Sequence, residues 1–490
     1  MGHLKLYNTR TRSLEIFTPL RGKAVRVYVC GLTPSAQAHL GHARSFLFFD
    51  LLRRYLEHKG YDVNYVQNVT DVDDRSINRA RETGEDWREI VRGYYQEFHD
   101  SMRRLGVMEP DEEPYATAFI PQIQTMIREL IEKGNAYAVE DGIYYDVRSF
   151  PRYGELSNRK IDELEAGARI EVGEFKKDPL DFALWKFAKP GEPKWPFEPY
   201  GDGRPGWHIE CSAMSRTLLD PEGAGFDIHG GGADLIFPHH ENEIAQSEPL
   251  MPHPPMANFW VHGGLLNFEG RKMSKSLGNF EPLVELLERH DPQAIRLAFL
   301  TTGYSKVMNF TDESLASSYI TLDRLKKTYR TLSVKAETLP ARGATQGSLL
   351  EKMELALDED MNTSVALAEL LQWNPQPGSR AEFERALWLL GIEPNEDWLR
   401  EEKRTLAPEN AEKIIELVTG IGSAAQAAQT TNGIGVVTLP EAIDRLIRER
   451  NLARANKDWV KSDHLRDELA ALGIVLKDSK DGTTWTVAEQ

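Results

Sequence analysis

His39 and His42 stand in the run VRVYVCGLTPSAQAHLGHAR, Val25 to Arg44, where residue type and spacing could bind a phosphate. Val25 to Val29 is apolar and β-branched, the pattern of a buried parallel strand, and it ends at Cys30-Gly31. Leu47, Leu51, Leu52 and Tyr55 then fall on one helical face, so an amphipathic helix starts close to the histidines. Strand, loop and helix start, in that order, form the phosphate-binding corner of a Rossmann-like unit. Imidazoles at a helix N-terminus can donate to phosphate oxygens, and Gly41 lets a ligand approach the backbone. Cys30, at the carboxyl end of the strand, adds a soft metal ligand to the same crevice. Taken alone, these residues are equally a core cysteine and two surface histidines.

A second group has metal-ligand chemistry. Cys30 and Cys211 both follow stretches that read as strands of one sheet, the latter within Gly206 to Cys211. Two thiolates need two more ligands for a tetrahedral zinc site. A helix opened by Pro238, PHHENEIAQSE, offers His and Glu at i,i+4 on one face. The pattern allows His239 with Glu243, or His240 with a partner elsewhere. Just upstream, Phe226 to His229 reads as a strand followed by a glycine turn, Gly230-Gly231-Gly232, and Asp234. Such a turn admits a nucleotide to the backbone, and Asp234 could accept from ribose hydroxyls. Thr70 closes another predicted strand, Asp62 to Val69, and is a pocket candidate. Asp73 and Asp74 after it read as a helix cap and solvated carboxylates.

These elements imply an α/β fold: a Rossmann-like parallel sheet with an insertion, then a helical bundle and a small mixed C-terminal domain. At 490 residues the chain is too long for one ordinary core. The expected divisions are a first catalytic half (1–133), a connective insertion (134–203) and a second catalytic half (204–265). A Lys272-containing region (266–330), a helical bundle (331–428) and an RNA-reading domain (429–490) follow. Further helices are expected over Asp86–Leu105 and Ala118–Lys133. The tail is expected to be helical from Leu439 to Leu472, with strands at Ile474–Lys477 and Thr484–Val487. Pro/Gly-rich linkers are expected at Leu339–Ser348 and Gln429–Val436. No apolar run is long enough to span a membrane, which takes about 18 residues or more, and no secretory leader is read at the N-terminus. Two cysteines give no disulfide framework and suit a reducing cytoplasm. A net charge of −17 argues against coating nucleic acid nonspecifically, though not against a local basic groove.

Far downstream of His39-Leu40-Gly41-His42 lies Lys272-Met273-Ser274-Lys275-Ser276. Together the two resemble the HIGH and KMSKS motifs of class I aminoacyl-tRNA synthetases. VCGLT, NVTDVDDR, DPLDFALWK, GWHIECSAM, FDIHGGGADLIFPHHENEIAQSE and RKMSKSLGN narrow the resemblance to the cysteinyl-tRNA synthetase family. It continues through ALDEDMNT to the tail KDWVKSDHLRDELAALGIVLKDSKDGTTW and covers nearly the whole chain. One departure is Pro34-Ser35-Ala36-Gln37, where relatives usually carry a Tyr and often an acidic residue, so no substrate contact is assigned to 35–37.

The resemblance implies ATP-dependent activation of L-cysteine and its transfer to tRNA(Cys). It implies one zinc ion per chain, held by Cys30, Cys211, His239 and Glu243, and Mg²⁺ arriving with ATP. His39, His42, Lys272 and Lys275 would be catalytic. His39, Gly41, His42, Gly231, Gly232, Asp234 and Lys275 would contact ATP. Cys30, Gly31, Thr33, Thr70 and Trp207 would face the amino acid. In the tail, Arg454, Trp459, Asp463 and Asp478 would read the anticodon by stacking and base-edge contacts. A cytoplasmic monomer is expected. Two other readings share part of the pattern: a cysteine–amino-sugar ligase, which lacks the tail, and a catalytically silent RNA-binding relative.

Overall fold

A computed structural model of the chain describes residues 3–160, 175–268, 271–272, 282–332, 348–374, 379–399, 413–414, 439–479 and 482–487. It divides into two compact units, Met1–Trp398 and Leu399–Gln490. The predicted linker at Leu339–Ser348, apart from Ser348, and that at Gln429–Val436 lie outside the described residues.

The first unit is built on a four-stranded sheet whose spatial order is Ala257–Gly263, Phe226–Gly232, Ala24–Leu32, Asp62–Val69, all pairs parallel. The expected Val25–Val29 strand is its third member, extended at both ends, and Asp62–Val69 matches its expected bounds. Val25, Val27 and Val29 are buried on one face and Tyr28 and Cys30 on the other, as a sheet covered on both faces requires. Helix Leu40–His58 makes the crossover between these two strands and lays Leu47, Leu51, Leu52 and Tyr55 into the core. The chain then returns to the opposite side of Ala24–Leu32 and forms Phe226–Gly232 there. Strand order therefore reverses between these two strands, and in open α/β sheets the crevice beyond that reversal is where ligands sit.

Between the halves is an antiparallel sheet of Ala136–Val139, Gly142–Tyr145, Phe182–Phe187 and Gly203–Pro205. Past the main sheet, Leu266–Phe268, Arg271–Lys272 and Met308–Phe310 form a three-stranded sheet. Helices Pro292–Leu300, Asp312–Thr331, Leu349–Leu357, Thr363–Gln372 and Arg380–Leu389 then share one apolar core with the parallel sheet. The second unit pairs helices Leu439–Ala455 and Trp459–Ala471 with an antiparallel hairpin, Ile474–Ser479 and Gly482–Val487. Ile443, Leu446, Leu465, Leu469 and Ile474 form its small core.

Three expectations are corrected here. Gly206 to Cys211 is no strand: Trp207–Leu219 is a helix, and Cys211 sits in its second turn. Ile209 and Ala213 share one buried face at i,i+4, a pattern that a short apolar run does not distinguish from a strand. The three glycines form no turn but end the Phe226–Gly232 strand, where they pair with Val261, His262 and Gly263. A side chain at Gly230 would strike the Phe49 ring at 2.3 Å, so this glycine lets the crossover helix lie on the sheet. Pro238 does not open a regular helix either. Ile236–His240 forms a wide turn with an extended Phe237 and a cis Phe237–Pro238 bond, and the α-helix runs over Glu241–Ser247.

Candidate active site and metal centre

The crevice at the reversal holds the histidine corner. His39 is the N-cap of helix Leu40–His58, and its Nδ1 accepts from the Gly41 N–H at 3.0 Å. His42 Nδ1 accepts in turn from the His39 N–H at 3.3 Å, closing a reciprocal cap in which histidine replaces the usual Ser and Glu. The two rings stack with centroids 3.9 Å apart. With both Nδ1 atoms accepting, each neutral ring carries its proton on Nε2 and presents an N–H donor at the positive end of the helix.

The downstream motif is tied to this corner. The Arg44 guanidinium donates to the carbonyls of Gly264, Leu265, Gly303 and Lys306 at 2.6–3.2 Å, which holds the approach to the Arg271–Lys272 strand. On the far side, Leu283 N–H donates to the Ala38 carbonyl at 2.9 Å, and Pro282 bridges to His39. The described chain thus reaches Lys272 and resumes at Pro282, beside His39. Lys275 itself and the Lys272 side chain lie outside the described residues.

Two thiols, an imidazole and a carboxylate meet on the other side of the crevice. Cys30 comes from the strand end, Cys211 from helix Trp207–Leu219, His239 from the wide turn and Glu243 from the helix after it. All four are buried, and their ligand atoms lie within 4.8 Å of one another. Cys30 Sγ is 3.8 Å from Cys211 Sγ and 3.5 Å from Glu243 Oε1, and His239 Nε2 is 3.1 Å from that same oxygen. Zn–S bonds of about 2.3 Å at the tetrahedral angle separate two sulfurs by about 3.8 Å, so the donor set fits such an ion. Its electrostatics point the same way. Burial, then the neighbouring Cys211 and Glu243, pushes the Cys30 thiol well above its ordinary range. Burial also raises Glu243 and lowers His239 and His240. Anionic ligands crowded into a dry pocket are unfavourable alone, and a divalent cation reverses that balance.

The two pairings left open by sequence both occur. A second set, Cys30, His229, His240 and Glu243, shares two members with the first, with His229 Nε2 2.9 Å from Glu243 Oε2. The buried Nε2 of His240 has no hydrogen-bond partner among the described residues. The His239 set has the stronger support because it uses both thiols; each imidazole has a partner on its other nitrogen, His208 Nδ1 at 2.8 Å from His239 Nδ1 and His262 Nε2 at 2.7 Å from His240 Nδ1. A partner on the second ring nitrogen is what orients a ligating imidazole. Trp207 stacks on His239 with centroids 4.3 Å apart and so walls the metal site itself.

Other predicted residues fall nearby. Asn68, which sequence reasoning missed, accepts from Gly31 N–H at 2.9 Å, donates to Thr70 Oγ1 at 3.2 Å and lies 3.7 Å from Cys211 Sγ. It thereby links Gly31, Thr70 and a thiol. Thr33 is half-buried in the loop beyond. Gly231 lies against His240, whereas the exposed Asp234 folds its carboxylate over Gly232. Asp73 caps helix Asp74–Thr83, as expected, but Asp74 is not simply solvated: Lys186 and Arg204 pair with it at 2.6 and 2.5 Å. His208, His229 and His262 were also missed. His208 and His229 lie within the stretches GWHIECSAM and FDIHGGGADLIFPHHENEIAQSE, and His229 and His262 stand on adjacent parallel strands.

In the second unit, Trp459 is 58% exposed and the adjoining Val460 84%. Asp478 accepts from Arg450 and Arg454 at 2.8–3.0 Å and from Thr483 at 2.7 Å, while Asp463 pairs with Arg466 at 3.4 Å. Hydrogen bonds from Arg450 and Thr483 hold the Asp478 carboxyl well below its usual range.

Residues 16–319 match the family model described as tRNA synthetases class I (C) catalytic domain. The chain is 44% identical over 490 residues to the Cysteine--tRNA ligase of Pseudomonas aeruginosa (strain LESB58), covering 99% of this chain and 100% of that one. The chain belongs to the cysteine–tRNA ligase family. A second member, from Chromohalobacter salexigens, is 44% identical over 488 residues and covers 99% of both chains. Residues 437–485 match the Cysteinyl-tRNA ligase anticodon binding domain, a second family model. Among solved structures, Mycobacterium tuberculosis methionyl-tRNA synthetase bound by methionyl-adenylate aligns with a TM-score of 0.53 at 15% identity. It covers 86% of this chain and 99% of that one. An Agrobacterium radiobacter LeuRS in a ternary complex with tRNA aligns with the same TM-score, 0.53, at 13% identity, covering 79% and 89%. Both share the fold of this cysteine–tRNA ligase family member.

Proposed function

We propose that this chain activates L-cysteine with ATP and transfers it to the terminal ribose of tRNA(Cys). In the first step a cysteine carboxylate oxygen attacks the α-phosphorus in line, an acyl–phosphate bond forms, and the bond to pyrophosphate breaks. In the second a ribose hydroxyl attacks the carbonyl and AMP leaves. Such chemistry asks for positioning and charge stabilisation more than for covalent help. His39 and His42 donate from Nε2 to the phosphates at the helix start, with Gly41 giving room. Lys272 and Lys275 neutralise charge moving toward pyrophosphate. Gly231, Gly232 and Asp234 face the nucleotide, and Mg²⁺ accompanies it. Gly31, Thr33, Thr70 and Trp207 enclose the amino acid.

The observation that carries this reading is the buried set of two thiols, imidazole and carboxylate beside the histidine corner. Cys30, Cys211, His239 and Glu243 would hold one Zn²⁺, which supplies preferential binding of a thiolate over the harder, less acidic serine hydroxyl. A contact built for one substrate makes a separate editing site unnecessary. Arg454, Trp459, Asp463 and Asp478 are assigned to the anticodon. The exposure of Trp459 supports that role for a stacking base, whereas Asp478 would act through the arginines that it holds. The family match over 437–485 favours this reading over a cysteine–amino-sugar ligase. No helix among the described residues is long and apolar enough to cross a membrane, and a cytoplasmic monomer is the expected state.

The test is ATP–pyrophosphate exchange with cysteine or serine, with and without tRNA, alongside elemental analysis. Cysteine-dependent exchange, serine rejection and about one zinc per chain are expected. Activation that is intact without metal would overturn the zinc assignment, and exchange indifferent to cysteine the function.

A further inference from the structure

Tyr28 and Cys30 stand two residues apart on the Ala24–Leu32 strand and so project from the same face of the sheet. Both belong to the buried cluster that Ile209 and Cys211 of helix Trp207–Leu219 share. The Tyr28 ring is fully buried, with its centroid 5.3 Å from His229 and 6.5 Å from Phe226 on the neighbouring strand. Its hydroxyl oxygen is buried and makes no hydrogen bond with any described residue. Burial, then Cys211, Cys30 and Glu243 in that order, push its ionisation well up, which places the hydroxyl among three of the four candidate metal ligands.

A buried hydroxyl left unpaired is destabilising, so few persist unless another state of the protein supplies the partner. The Cys211 sulfur has the complementary need. As a metal ligand it carries negative charge, and its neighbours, Cys30 Sγ at 3.8 Å and Asn68 Oδ1 at 3.7 Å, then bring it acceptors and no donor. Asn68 is held in that orientation, because its Oδ1 accepts from Gly31 N–H at 2.9 Å while its Nδ2 donates to Thr70 at 3.2 Å. The Tyr28 hydroxyl is a donor beside this sulfur with nothing else to bond.

Charge gives that donor a purpose. Two thiolates and a carboxylate outweigh the charge of a divalent ion, so the filled centre is negative in a dry pocket, and a substrate thiolate adds to that charge. Hydrogen bonds to ionised acceptors are among the strong ones, and outer partners of this kind tune both a metal's affinity and its ligand field. We infer that Tyr28 is a positioning residue of the metal centre: its hydroxyl donates to the Cys211 sulfur once an ion is bound, orienting that ligand and offsetting its charge. The inference rests on the zinc assignment proposed above.

The test is Tyr28→Phe in the full chain, which removes the hydroxyl and keeps the ring. Zn²⁺ affinity, read by competition with a chromophoric chelator, should fall about 10- to 100-fold, the cost of losing an outer partner of a ligand. With Co²⁺ in place of Zn²⁺, the sulfur-to-metal charge-transfer band should move to longer wavelength, because a thiolate without its hydrogen bond gives up an electron more readily. The melting temperature should drop for the loaded protein but hold or rise for the metal-free one, which sheds an unpaired buried hydroxyl. An unchanged affinity, an unmoved band, or equal drops in both states, the mark of a packing role, would overturn the inference. Should Tyr28→Phe fail to fold, 3-fluorotyrosine at position 28 keeps the ring and makes the hydroxyl a stronger donor. The cobalt band should then move to shorter wavelength, and a band that stays in place overturns the inference. A wild-type chain that takes up neither ion refutes the zinc assignment and this inference with it, whereas equal uptake by wild type and variant refutes the inference alone.

Discussion

Gly31→Ala adds one methyl group at the junction of the two central strands. An ideal Cβ there would stand 1.6 Å from the Asn68 carbonyl oxygen and 2.7 Å from its carbon. Nonbonded heavy atoms rest at about 3.5 Å, so Asn68 must retreat by about 2 Å. Both colliding atoms are backbone, and no rotamer can relieve the contact. The register between these strands already shifts between Val29 and Leu32, so the sheet can open locally there. What moves is the residue holding Gly31, Thr70 and the neighbourhood of Cys211 together. Misplacement by about 1 Å near a reacting centre can cost about 10²-fold, so we expect at least that loss in cysteine-dependent ATP–pyrophosphate exchange. Stability should fall by about 1–3 kcal/mol, the range for overpacking, with the chain still folded. Gly93→Ala is the matched control. It makes the same change in helix Trp87–Arg104 with nothing within 4 Å of the new methyl, and should stabilise by about 0.5–1 kcal/mol. Exchange kinetics, metal content and thermal unfolding measure all of this. Normal exchange and metal content in Gly31→Ala would refute the role given to the Gly31–Asn68 junction.

Lys275→Ala should lower turnover in the exchange assay by about 10²-fold or more while cysteine binding stays nearly intact, and a loss confined to cysteine affinity would contradict its role at the phosphates. Deleting residues 431–490 should leave adenylate formation in place and weaken tRNA binding, with aminoacylation partly restored by more tRNA. If activation and thermal stability fell together at unchanged tRNA affinity, the tail would be a packing element. Asp50→Ala should cost about 3–5 kcal/mol, because it takes the buried carboxylate away from Arg54 and Arg296 and leaves Arg54 with the exposed Glu393 at 3.8 Å. Burial raises the Asp50 carboxyl, but the charges of Arg296 and Arg54 outweigh it and leave it below its ordinary 3.8. The unfolded chain therefore takes up the proton first as pH falls, so this stabilisation is complete above about pH 4 and is lost toward the folded-state value. Urea midpoints of wild type and variant should converge below pH 4, and a constant gap would show that the carboxylate is not the source.

The parallel core was legible because its strands are continuous β-branched runs and its crossover helix repeats with a clear period. Asp62–Val69 and the hairpin in the tail came out close to their bounds for the same reason. Cys211 was placed on the wrong kind of element, since WHIECSAM is short, buried and fits either period, and only contacts with Ile244 and its neighbours on Glu241–Ser247 decide it. Helix Asp74–Thr83 was expected only through its cap, because it buries only Ser76 and Ile77 and so has little apolar pattern to give its length. Cys30, Cys211, His239 and Glu243 come together even so, because convergence is a property of the fold and survives a local error in one element. Asn68 lies within NVTDVDDR and His208 within GWHIECSAM, but neither stretch, nor the one around His262, spells out a role for them. Their roles arise from hydrogen bonds between residues distant in sequence, which periodicity does not encode.

The contact of Leu283 with Ala38, and of Pro282 with His39, joins parts of the chain separated by most of the catalytic region. During synthesis at about 5–20 residues per second, Pro282 follows His39 by roughly 10–50 s. The histidine corner must wait through that interval with its sheet able to form but one flank of its nucleotide crevice unmade. The two thiols, the imidazole and the carboxylate are all synthesised by Glu243, before the chain reaches Pro282. On the function proposed above, the flank beside His39 is completed only after the residues assigned to the metal have been made.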